Sequence, residues 1–230
     1  MSNIRENEIK LIYSSLYNHY GPQGWWPLLS RDISTKEVKM VNHPLNYDLP
    51  KTRNEIYEII LGTILTQNTA WNSAEIALRN LKDLDAINPQ NLLDLDSETF
   101  KQAIRSAGFL NQKSVYINEV TKFYIGLDDK IPTRKELLEV KGVGNETADS
   151  ILLYAFKQPE FVVDTYTKRI FSQIDLIDYN DNYNKIKTLF ETQLPRDMII
   201  YNEYHALIVA HAKKYYSRKP YGVDDTLLNP

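Results

Sequence analysis

Apolar residues recur at helical spacing along almost the whole chain and at strand spacing almost nowhere. Glu55–Leu65 sets Ile56, Ile59, Ile60, Thr63 and Ile64 on one helical face. The same reading predicts helices over Glu8–Tyr20, Trp71–Lys82, Glu98–Ser106, Gln112–Tyr124 and Asn145–Phe156. Toward the end it predicts Thr165–Gln173, Asn184–Gln193 and Met198–Tyr216. Pro132-Thr133 followed by Glu136 reads as a capping box opening a short helix, Arg134–Glu139. Phe161-Val162-Val163 alone looks strand-like, and it is too short to make a sheet. The expected fold is therefore all-α, with many short helices and short loops. Gly21–Pro50 is the least regular stretch, with Pro22, Pro27, Pro44, Pro50 and the adjacent Trp25 and Trp26. It suits a long functional loop or a domain crossover.

Composition narrows the chemistry. The 230 residues are enough for one large domain or two small ones. There is no cysteine, which excludes disulfides, cysteine zinc sites, iron–sulfur clusters and thiol nucleophiles. The four histidines form no HxxxH pair, so a histidine metal site is not expected. A formal net charge of −3 argues on its face against nucleic acid, although local patches decide binding. No signal-peptide pattern or membrane-length apolar run is present. The expectation is a soluble intracellular protein of the cytoplasm or nucleoid with no membrane partner.

One stretch offers an anion site without basic side chains. Between helices Arg134–Glu139 and Asn145–Phe156 lies Lys141-Gly142-Val143-Gly144, which makes a helix–hairpin–helix. Glycines permit φ > 0 and close approach of another backbone. The second helix offers unpaired N–H groups and the positive end of its dipole, reaching Thr147 in its first turn. A lone GxG is more often an ordinary turn. About twenty residues later, however, Phe161-Val162-Val163 runs into Asp164 at a helix start. An aspartate there is a common N-cap. The same geometry keeps a carboxylate ionised, which suits stabilising cationic charge or activating water.

KGVGNETADSILLYAF followed by VVDTYTKRI resembles the signature of the endonuclease III superfamily of DNA glycosylases. The likeness runs in order from about Tyr57 to Lys219. Leu65-Thr66-Gln67-Asn68-Thr69 resembles the segment whose glutamine fills the gap left by a flipped nucleotide. Ala107-Gly108-Phe109-Leu110-Asn111-Gln112-Lys113 resembles the segment bearing the intercalating wedge, here Phe109 or Leu110. Gly24-Trp25-Trp26-Pro27 with Tyr57 and Gln67-Asn68-Thr69 is similar to the 3-methyladenine glycosylases of endonuclease III type. The resemblance implies two helical lobes with a DNA cleft between them: a six-helix bundle over 48–158, and a second domain from 1–47 plus 159–230. It implies double-stranded DNA with a damaged base as partner, a monomer, Asp164 as the catalytic carboxylate, and a place for a monovalent cation at the hairpin.

Two departures bear on the chemistry. Bifunctional relatives place a lysine two residues after the second hairpin glycine, and here that residue is Glu146. A carboxylate cannot form an imine, so loss of the lyase step is expected. Glu146 equally suits the first turn of a helix as a dipole-satisfied acid. His211–Pro220 resembles sequence flanking the [4Fe–4S] cluster of many relatives, but no cysteine remains, so no cluster or other cofactor is expected. Lys213 lies where it could reach a bound base or sugar, although a plain surface role also fits. Trp25, Trp26, Tyr57, Glu146 and Lys213 are the candidate base pocket. Uracil, mismatched thymine or an oxidised purine are rival substrates. A non-catalytic helix–hairpin–helix DNA-binding module is the rival of another class.

Overall fold

A computed structural model describes residues 7–31, 34–35 and 37–228. Its contacts group the chain into a bundle unit, residues 26–42 and 48–157, and a terminal unit, residues 1–25, 43–47 and 158–230. The described residues are mostly helical, as the apolar spacing requires.

The bundle unit is built around α2 (Arg53–Leu65), whose residues 57–65 are all buried. A helix covered on every side belongs to a core. Thr52 and Glu55 close a capping box at its start. Next come α3 (Trp71–Asp83), α4 (Pro89–Asp94), α5 (Ser97–Ala103) and α6 (Leu110–Gly126). α4 was not expected; Asn88 caps it and Pro89 occupies its first turn, where a missing N–H is harmless. α7 (Arg134–Glu139) opens with the expected Thr133–Glu136 capping box. α8 (Asn145–Ser150) continues into a π-helical turn, Ile151–Ala155.

The sequence suggests no strands in 21–50, yet β1 (Leu28–Arg31) and β2 (Val38–Val41) form an antiparallel pair, with Leu28 opposite Val41. Four-residue strands are too short to show alternation against a proline-rich background. Residues 26–42, expected with the termini, belong to the bundle because buried Glu58 of α2 accepts the Leu29 N–H at 2.6 Å. Burial pushes that carboxyl up to about 7, only partly offset by the Leu29 N–H.

The terminal unit comprises α1 (Glu8–Tyr20), α9 (Thr165–Gln173), α10 (Tyr183–Gln193) and α11 (Met198–Tyr215). Phe161 stacks on Phe190 with centroids 4.2 Å apart, and Phe171 and Tyr204 close the cluster edge-on. The strand-like Phe161–Val163 is extended but pairs with no strand. The Phe161 N–H goes to Glu191 at 3.0 Å and the Val163 N–H to the Tyr183 hydroxyl at 3.3 Å. Its apolar character reflects burial under helices, and side chains satisfy its backbone. Beyond α11 the tail is fixed by Asp225, which accepts Tyr216 Oη at 2.7 Å and contacts His211 Nε2 at 2.8 Å. Tyr20 Oη meets the other nitrogen of His211 at 2.8 Å. None of the described helices is long and apolar enough to cross a membrane.

Candidate active site and nucleic-acid interface

The hairpin's two glycines do different work. Gly142 has φ +93°, and a Cβ there would stand 2.1 Å from the Tyr116 ring. Both the backbone conformation and the close ring exclude a side chain. Gly144 has φ −94°, and a Cβ there would meet nothing within 4 Å. Nothing among the described residues demands glycine at 144, so its face of the hairpin is open. α8 starts at Gly144 without a side-chain cap, so no capping group covers its first N–H groups. Arg134 fixes α7 against α8 by gripping both carboxylate oxygens of fully buried Asp149, at 2.7 and 3.2 Å, and Asn145 at 2.9 Å. Val143 and Thr147 are buried, while Lys141 and Glu146 are exposed. Glu146 thus stands on the solvent side of the first turn of α8.

Gln67 follows α2 in a turn where Asn68 has φ +51°. Its amide nitrogen donates to Gly142 O at 2.9 Å and contacts Thr147 Oγ1 at 3.0 Å. The first partner is a carbonyl, which can only accept, so the NH2 face must point there. The expected gap-filling residue is therefore docked on the hairpin. Phe109 is 59% exposed and left-handed, at φ +49°, immediately before α6. A bulky residue in that conformation at a projecting tip is unusual. Leu110 opens α6 and is half-buried. Of the two wedge candidates, Phe109 projects further.

In the terminal unit, Asp164 caps α9. Oδ1 accepts the Thr167 N–H at 2.7 Å and its hydroxyl at 2.8 Å, while Oδ2 lies 3.7 Å from His205 Nε2 of α11. Burial alone would push this carboxyl up. The imidazole of His205 and the two Thr167 donors outweigh it and hold the group below the usual carboxylate range. Asp164 is thus kept ionised, with one oxygen bound to its own helix.

The aromatic residues divide. The Trp25 ring faces Lys213 Nζ, 6.0 Å from its centroid, both in the terminal unit. Partial burial pulls that ammonium's pKa down from its ordinary value. The loop before Trp25 is held by fully buried Glu203, which accepts Gln23 N–H at 2.7 Å and Tyr47 Oη at 3.0 Å. Gly24 crosses so near His43 and Pro44 that a Cβ would come within 2.1 Å. Trp26 packs in the bundle unit against Trp71 and Tyr154, at 5.4 and 5.3 Å, over the bare backbone of Gly62. Tyr57 does not belong to a pocket: it is fully buried, stacks on Tyr124 at 5.5 Å, and bonds Thr121 through its hydroxyl. The expectation rested on Tyr57 lying on the helix that leads to Gln67, and that place does not show that packing covers every side of α2 there.

The structure also assigns neighbours that sequence reading missed. His205 beside Asp164, Trp71 and Tyr154 around Trp26, and Glu203 behind Trp25 all sit in ordinary helical patterns. A [4Fe–4S] cluster does not fit this chain, which offers no thiolate; the tail instead carries the Tyr20–His211–Asp225–Tyr216 network.

The comparisons agree with this geometry. The pattern of the HhH-GPD superfamily, base excision DNA repair proteins, matches residues 61–196. A putative DNA repair glycosylase of Methanocaldococcus jannaschii is 40% identical over 94% of this chain and 93% of its own. An endonuclease III of Sulfolobus acidocaldarius is 35% identical over 76% of this chain and 80% of its own. Among solved structures, the 3-methyladenine DNA glycosylase of H. pylori bound to 1,N6-ethenoadenine superimposes with a TM-score of 0.67, at 24% identity, covering 91% of this chain and 97% of that one. The hairpin of 141–144, the capping Asp164 and these matches together place the chain in the HhH-GPD superfamily of base excision DNA repair proteins.

Proposed function

We propose that this base excision repair DNA glycosylase is monofunctional and removes cationic, alkylated bases of the 3-methyladenine kind from duplex DNA, leaving an abasic site. The observation that carries the reading is Asp164, held ionised at the start of α9, in a chain whose hairpin helix presents Glu146 where a Schiff-base lysine would stand.

In this account the α8 N–H groups and open Gly144 hold a backbone phosphate, with Lys141 adding charge. Phe109 and Gln67 enter the stack while the damaged base leaves it. Eversion costs a few kcal/mol, and stacking on aromatic faces returns about 1–3 kcal/mol per base. Trp25 and Trp26 provide such faces. A cationic ring is drawn to electron-rich π systems, and its glycosidic bond is already weak. As that bond breaks, its electron pair leaves on the base nitrogen, and the Asp164 carboxylate stabilises the cationic sugar. Water then adds to C1′, and its proton passes to the carboxylate or to solvent. Glu146 cannot form an imine, so the strand stays intact. No step needs a cofactor, a second subunit or a hairpin cation.

The test is chromatography of bases released from methylated duplex DNA, with strands carrying uracil, mismatched thymine or an oxidised purine in parallel. Release of 3-methyladenine is expected. Release of one of the others instead would move the substrate assignment, and release of none would favour a binding module.

A further inference from the structure

Lys113 lies on α6, four residues after Phe109, yet only 2% of it is exposed. Its ammonium touches Leu65 O at 2.6 Å, Thr69 Oγ1 at 2.6 Å and Ala107 O at 2.9 Å. Three donors meet three acceptors. Leu65 and Thr69 bracket the Gln67 turn, while Ala107 leads into the Phe109 tip. Thr69 Oγ1 also lies 2.7 Å from Ala107 O, closing the ring. From the other side, the backbone N–H of Lys113 bonds Phe109 O at 2.9 Å.

Each turn contains a non-glycine residue in the left-handed region, Asn68 at φ +51° and Phe109 at φ +49°. Such conformations persist where their surroundings over-determine them. Here the over-determining group is one side chain shared by both turns. Burial pulls the Lys113 ammonium down to about 8, so a charge is kept where an apolar residue would fill the space without that penalty. No neutral side chain offers three donors on one atom.

We propose that Lys113 is a positioning residue for base eversion, locking the Gln67 turn to the Phe109 tip so that both enter the duplex as one unit. This rests on reading Gln67 and Phe109 as the invading residues.

The experiment uses the full chain and a duplex carrying a tetrahydrofuran abasic analogue beside 2-aminopurine, whose fluorescence rises when its stack is opened. Wild type is expected to brighten the probe. Lys113→Met is expected to bind the duplex at wild-type affinity while the brightening falls about fivefold. Thr69→Val keeps the ammonium and its two carbonyl partners but removes the hydroxyl that joins Lys113 to Ala107 O; it should lower the brightening less, and it carries the test if Lys113→Met does not fold. Full brightening by folded Lys113→Met, or by Thr69→Val if it alone folds, overturns the proposal. Phe109→Ala separates the two readings. If it leaves the signal intact, the wedge assignment fails whatever Lys113 does.

Discussion

At the hairpin of the bundle unit, the turns are held largely through their backbone: Gln67 bonds the Gly142 carbonyl, and Lys113 bonds those of Leu65 and Ala107. At the tail of the terminal unit, side chains hold one another, with Tyr20, His211, Asp225 and Tyr216 linked in a chain and Asp225 also accepting the N–H groups of Leu227 and Leu228. The first arrangement leaves the α8 N–H groups without a capping side chain and Phe109 projecting. The second turns its polar groups inward. A ligand site keeps capacity in reserve, whereas a structural lock uses its own. Two of the buried carboxylates, Glu58 and Asp225, differ in the same sense. Glu58 receives one backbone N–H and is pushed up to about 7, while Asp225 receives several donors that outweigh burial and hold it below its ordinary value.

The largest effect should come from breaking the lock. Asp225→Ala strands the donors of Tyr216, Leu227 and Leu228, and is expected to lower unfolding stability by about 3–5 kcal/mol in urea titrations. Affinity for an abasic duplex should be unchanged wherever the variant is folded. Weakened binding with intact stability would make the tail part of the interface and dissolve the contrast.

The hairpin glycines sharpen it. Gly142→Ala combines left-handed strain with overlap on Tyr116 and should cost about 3 kcal/mol. Gly144→Ala should stay within about 0.5 kcal/mol of wild type in stability, because its Cβ enters open space. On the proposed phosphate contact it should nonetheless weaken DNA binding about tenfold, since the added methyl would crowd that phosphate. Unaltered affinity would show that Gly144 is not reserved for a ligand.

Glu58 and His211 make opposite pH predictions. Glu58 has a folded pKa raised from 4.5 to about 7, so its contribution is full below 4.5 and is lost as pH rises through 7. Glu58→Gln should therefore gain up to ~3 kcal/mol over wild type at pH 8, and nothing at the acid end. Burial lowers His211 below 6.5 despite Asp225, so its contribution is present above 6.5 and is lost as pH falls through the folded value. His211→Gln should flatten the acid side of the melting-temperature profile. Equal slopes in variant and wild type would place the acid loss elsewhere.

How legible each region was follows from its chemistry. The hairpin and the Asp164 cap could be read because a tight turn and a helix start require particular residue types at fixed places. The helices could be read because burial imposes a period. Lys113 could not, since a lysine is ordinarily solvated and only the fold shows three acceptors converging on it. Tyr57 was assigned from its place on the helix leading to Gln67, which does not reveal that packing buries it on all sides. The tail network joins residues as distant as Tyr20 and Asp225, none unusual alone. The strands at 28–31 and 38–41 are held partly by Glu58, an acid within an apolar helix whose burial no pattern announces.

The central claim is that a lone carboxylate removes a base and the strand survives. It is tested most directly by single-turnover reactions on methylated duplex, comparing wild type with Asp164→Asn. Free base, strand integrity and borohydride-trapped adduct would be followed together. Asparagine is also a good N-cap, so the substitution spares the start of α9. The account predicts free 3-methyladenine with intact strands and no adduct from wild type, and about a thousandfold slower release from the variant. A trapped adduct with cut strands, or undiminished release by Asp164→Asn, would contradict it.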